Sequence, residues 1–216
     1  MKISSVSILF AVAILLSPAS ARSAELFTNG DFESGTTGFG SDYSFNGVSA
    51  TLDGQFSITT SPHIVHPSWS IFADHTVAGD MMLVANGSTA AGLEIWRQTV
   101  SVLPAHDYTF SGWAASVFPA SPAELSFRVN DVQFETLLLT SATGVWTNFT
   151  AIVNSGVNST LEFEIVDLNL EGNGNDFALD DLSLDGEPVP EPATVLMLAI
   201  GGFLLVLRMV RRPSNG

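Results

Sequence analysis

The chain of 216 residues contains no cysteine. That excludes disulfide staples, thiolate metal sites and a cysteine nucleophile, so an exported domain of this sequence rests on its apolar core and on any metal it binds. Positive charge is almost as scarce. Seven residues are Lys or Arg against 22 Asp or Glu, and three of the seven, Arg208, Arg211 and Arg212, stand at the extreme C-terminus. Between Arg22 and Glu187, 21 acidic residues face only Arg22, Arg97 and Arg128, a net charge near −18. Such a polyanion is repelled by nucleic acid and by anionic membrane surfaces, and it attracts cations. A 3.6-residue apolar period is also missing from this central part, which argues against a helical domain.

Catalytic signatures are absent too. There is no G-x-S-x-G elbow and no H-E-x-x-H helix. The four histidines, His63, His66, His75 and His106, are scattered, and Pro62 and Pro67 keep a regular helix from aligning His63 and His66 as metal ligands. The expectation is a protein that is not an enzyme.

What is present is strand. Glu94 to Val102, Asp107 to Val117, Ala123 to Val129, Val145 to Val153, Thr160 to Val166 and Phe177 to Leu184 are rich in β-branched and aromatic residues and separated by Gly, Pro, Asn and Ser clusters. Asn130-Asp131, between Val129 and Val132, reads as a tight hairpin turn. Short strands at this spacing predict an all-β fold, an antiparallel two-sheet β-sandwich or jelly roll over residues 22–187.

Alternation sorts the side chains. Leu161, Phe163 and Ile165 share one face, while Glu162 and Glu164 share the other and read as a solvated acidic stripe. Counted the same way, Asp180 points inward with Leu182 and Leu184, where a carboxylate needs a cation or good hydrogen bonds. Glu33 and Asp31 near the domain start offer further oxygens, and the first and last strands of a sandwich often lie side by side. These residues suggest a structural calcium ion held by Glu33, Asp31 and Asp180. The alternative is that Asp180 caps backbone amides or meets Arg97 or Arg128. For ligand binding, Trp113 shares a face with Thr109 and Ser111 and is a candidate sugar platform, and Arg128, beside Ser126 and Asn130, is its candidate polar partner. Trp96 and Trp146 read as core, and Trp69 is undecided.

The two ends read differently from the middle. Residues 1–21 combine Lys2, an apolar run from Val6 to Leu16, Pro18 and Ala19-Ser20-Ala21, the pattern of a helical signal peptide cut after Ala21. Residues 188–216 hold Val-Pro-Glu-Pro, an apolar stretch over about 193–210 that is marginal as a transmembrane helix, and a basic tail over 208–212. Its arginines place the tail in the cytoplasm and everything upstream outside it.

Pro190, Glu191 and Pro192, the short span and Arg208, Arg211 and Arg212 together resemble the PEP-CTERM sorting signal of Gram-negative bacteria. The resemblance implies that these residues are recognition elements for an exosortase. It also implies a protein held in the inner membrane before passing to the cell surface or extracellular matrix. The domain carries a second resemblance. Asn29-Gly30-Asp31-Phe32-Glu33, Gly79 to Gly87 and Asn175 to Leu182, in that order and spacing, look like galactose-binding-like jelly rolls related to carbohydrate-binding modules. That implies an extracellular polysaccharide or other glycan as partner, and a structural calcium mapped to Glu33 and Asp180. A structural or adhesive matrix protein that binds proteins remains the alternative.

Overall fold

A computed structural model of the chain describes residues 24–76 and 79–186. The expected signal peptide, sorting motif and transmembrane segment lie outside these residues, and within them no helix is long and apolar enough to cross a membrane.

Two sheets form a β-sandwich. The first has the order β2 (Ser44–Phe45), β3 (Gln55–Thr59), β4 (Met82–Asn86), β11 (Phe177–Gly186), β6 (Asp107–Ser116), β9 (Thr147–Asn154). The short β1 (Ala24–Glu25) pairs with the end of β11, so the first and last strands do lie side by side. The second sheet has the order β5 (Glu94–Ser101), β10 (Thr160–Asp167), β7 (Glu124–Val129), β8 (Val132–Leu138). All its pairs are antiparallel. The β7–β8 turn is the expected one: Asn130 at φ 50° and Asp131 at φ 64° supply the two left-handed residues that a two-residue hairpin of native twist requires.

Between the sheets lies an aromatic core. Phe110 of β6 packs against Phe27, Phe127, Phe149 and Phe163 at ring-centroid distances of 5.3 to 5.9 Å, and Trp96 is fully buried among them. Each such side chain withdrawn from water contributes roughly 1.5–3 kcal/mol. These residues come from alternate positions, so the sequence pattern exposes them readily.

A second, smaller cluster covers the outer face of the first sheet. Residues 60–72, which include the single-turn helix α1 (Pro62–Val65), lay Val65 and Trp69 onto Met82, Val84, Val117 and Ala178. β4 is therefore buried along its whole length and shows no alternation, and β3 is short and polar. Neither strand announces itself by period. Proline stands in the first turn of α1, where its missing N–H costs nothing. The turn stops at Val65 and His66 is already extended, so no helix aligns His63 with His66.

Candidate functional site

β11 departs from plain alternation. Leu179, Leu182 and Leu184 all face the aromatic core, and the odd spacing is absorbed by a bulge between Asp180 and Ser183, with Asp181 at φ 48°. The bulge turns Asp180 to the outer face, beside Trp113 of β6, and corrects the inward orientation read from sequence. Asp180 is still fully buried, because residues 75–76 close over it. Its Oδ2 accepts the amides of His75 at 2.7 Å and Thr76 at 3.1 Å, and its Oδ1 accepts the amide of Asp181 at 2.8 Å. Burial nevertheless pushes its pKa up to about 6.

The expected calcium ligands all accept backbone amides. Glu33 Oε1 accepts the amides of Asp80 and Met81, both at 2.8 Å, and Asp31 Oδ1 accepts that of Glu33 at 3.4 Å. Among the described residues, Glu33, Asp31 and Asp180 do not each bring an oxygen within 4.8 Å of the other two. The hydrogen bonds of Asp180 form a clamp of backbone amides, and neither Arg97 nor Arg128 meets it. Gly30 belongs to this clamp: a Cβ there would sit 1.8 Å from the Leu182 carbonyl oxygen, so only glycine lets the first turn approach β11 this closely.

Trp113 and Arg128 are not brought together. Trp113 lies half-buried on the outer face of the first sheet, its ring stacked under His75 at 3.9 Å and 18°. His75 Nδ1 is in turn 2.6 Å from Asp181 Oδ2. Arg128 lies on the outer face of the second sheet, since its neighbours Phe127 and Val129 face the core. The two side chains therefore stand on opposite outer faces of the sandwich and cannot grip one sugar ring. Trp146 belongs to the outer cluster and not to the main core: it meets Phe72 and His75 edge-on, at 5.9 Å each. Trp96 is core as expected, and Trp69 is buried at 3% exposure.

A polar cleft of about 210 Å³ opens at one end of the sandwich, where the α1 segment meets the loop before β11. Trp69 forms its floor and His66 stacks on it at 4.7 Å and 26°, half-exposed. Asp176 receives Trp69 Nε1 at 3.0 Å and the Gly87 amide at 3.2 Å, while burial raises its pKa. Asp53 stands exposed on the rim, Asn86 donates to the Ala50 carbonyl at 2.9 Å, and half-buried Phe118 completes an aromatic wall. An aromatic wall with carboxylate and amide groups around it is chemistry suited to a polyhydroxylated ligand. The cleft draws on residues 51–69, 86, 118 and 172–176, and no local motif joins them. The one sequence sign was His66 and Trp69 three positions apart in a proline-flanked loop.

No family model matches the chain, and no curated protein matches it in sequence. Solved structures do. The chain is similar to an apo-form cyclase from Fischerella sp. at a TM-score of 0.54 and 13% identity, over 80% of this chain and 100% of that one. It is similar to the arabinose-bound α-L-arabinofuranosidase MgGH51 at 0.54 and 14%, over 76% of this chain and 27% of that one. It is also similar to the N-terminal CBM22-1–CBM22-2 tandem of Paenibacillus barcinonensis Xyn10C at 0.50 and 17%, over 81% of this chain and 49% of the tandem. The chain thus spans less than two thirds of the last two. At these identities the likeness establishes the β-sandwich, and the fold serves both enzymes and binding modules.

Proposed function

We propose that the chain is an exported, non-catalytic, carbohydrate-binding domain whose ligand site is the cleft between His66, Trp69, Asp53 and Asp176. The observation that carries this reading is the His66–Trp69 stack set beside acceptor groups in a concave end of the sandwich. At about 210 Å³ the cleft is smaller than the roughly 300–1,000 Å³ of sites for drug-sized ligands, which favours a single terminal sugar over a long polymer track. The likeness of fold to a tandem of carbohydrate-binding modules supports the reading without deciding the ligand.

The test is binding of the full chain to a panel of glycans and bacterial polysaccharides. Saturable binding that weakens about tenfold or more in Asp53→Ala, while Trp113→Ala binds as the parent does, supports the cleft. Binding lost in Trp113→Ala but kept in Asp53→Ala moves the site to the other end of the outer face. A folded chain that binds nothing on the panel rejects the carbohydrate reading. It would favour an adhesive role, for which one feature speaks: Leu138, Leu168 and Leu170 are exposed at 67%, 38% and 40% around a shallow groove at the end of β8 and the start of β7.

The C-terminal 28 residues supply the destination in this proposal, with Pro190, Glu191 and Pro192 read by an exosortase and the arginines holding the chain in the inner membrane until then. The mass of the mature protein checks it. Loss of the residues following the Pro-Glu-Pro motif is expected, and an intact C-terminus at the cell surface would reject processing.

A further inference from the structure

A separate group of carboxylates occupies the outer face of the second sheet. Glu164 stands on β10 in the middle of that sheet, with Arg97 of β5 opposite on one side and Arg128 of β7 on the other. Neither arginine is paired with it. Arg97 is turned to Asp42 at 2.7 Å and Glu94 at 2.9 Å, and Arg128 makes only a long contact with Ser126 Oγ at 3.4 Å among the described residues. Glu164 was expected in a solvated stripe, yet it is 1% exposed. The β7–β8 turn folds toward it, so that Oε1 accepts the Asp131 amide at 3.0 Å, while buried Oε2 has no hydrogen-bond partner.

Two more carboxylates face this one. Glu94 reaches in from the start of β5 and Asp131 from the turn, and one oxygen from each of the three residues lies within 4.8 Å of the other two. Three acidic groups this close repel one another, and the orphaned Oε2 of buried Glu164 has forfeited its hydration. Burial is the chief reason that the Glu164 carboxyl titrates above its usual range, and the charges of Glu94, Asp131 and Glu162 add to it. One divalent cation answers both costs, supplying the opposing charge and a partner for Oε2. Oxygens within 4.8 Å of one another lie in reach of a calcium ion, whose bonds of about 2.3–2.6 Å span that distance.

We propose that Glu94, Asp131 and Glu164 form a calcium-type cation site that ties the β7–β8 turn to β5 and β10. Asp131 is exposed, so water completes the coordination from that side. The site is remote from the cleft and independent of the carbohydrate reading.

The experiment is a calcium titration of the full chain, followed by calorimetry and by the melting temperature with calcium and with chelator. Asp131→Asn is the cleanest variant, because asparagine tolerates the φ of 64° at that exposed position and the fold should survive. Calcium affinity is expected to fall about tenfold or more in Asp131→Asn and in Glu164→Gln, and the calcium-dependent rise in melting temperature to vanish with it. Glu162→Gln, outside the trio, should leave both unchanged. Calcium binding that survives intact in Asp131→Asn and Glu164→Gln, or a chain that binds no calcium at all, overturns the site.

Discussion

Across the outer face of the first sheet, residues 60–76 lay Val65, Trp69 and His75 onto Met82, Val84, Trp113 and Asp180. The outer face of the second sheet carries Arg97, Glu162, Glu164 and Arg128, and no apolar cluster covers it among the described residues. Both faces bury carboxylates, and they treat them differently. Asp176 and Asp180, under the covering segment, receive donors on both oxygens. Glu164, on the bare face, keeps one buried oxygen without a partner, as does Asp74 within the covering segment. The covering segment brings the amides of His75 and Thr76 to Asp180, whereas Glu164 meets a single amide, that of Asp131 in the β7–β8 turn. A carboxylate buried on a bare sheet face must therefore find a proton or a cation.

The comparison can be broken most directly at Trp69. Trp69→Ala removes the centre of the outer cluster and leaves Asp176 without its indole donor, and a loss of about 3–5 kcal/mol is expected in denaturant unfolding. A loss under about 1 kcal/mol would mean that the covering segment is not part of the folded core.

A second, smaller effect concerns Asp167, whose pKa burial pushes up to about 7. In the unfolded chain this group ionises near 3.8, the ordinary range of an aspartate. The native state therefore binds the proton more tightly, and the stabilisation it brings is complete below that value and lost as pH rises toward about 7. Asp167→Asn keeps acceptor capacity for the Glu124 and Asn169 amides, so it should flatten the fall in stability across this window. An unchanged pH profile would show that Asp167 ionises as freely in the native protein as in the unfolded chain. The smallest effect is expected at Arg128, which has no ion pair among the described residues: Arg128→Ala should shift stability by less than about 0.5 kcal/mol. A larger loss would reveal that the open face is held together by its charges after all.

Much of the fold was legible. Six of the longer strands lie within one to three residues of the segments read from β-branched and aromatic runs, and Asn130-Asp131 turns the chain where expected. β4 was missed because burial on both faces erases the period of two, and the buried Trp69 could not be placed because its partners are distant in sequence. The site was less legible. Asp180 changed faces through one bulged residue, and Trp113 was rightly placed on the outer face but met a histidine 38 positions earlier in the chain. Glu164 was taken for a solvated residue because nothing in Leu161 to Ile165 shows that a hairpin turn will close over it.

By itself the sequence determined the all-β class, the strands with one apolar face, the absence of disulfides and the excess of negative charge, because these depend on local period and on composition. Only the tertiary structure decided which face is covered, where the cleft opens and which carboxylates lose water. Those outcomes depend on segments tens of residues apart meeting across a sheet, and a single bulge reverses every face assignment beyond it.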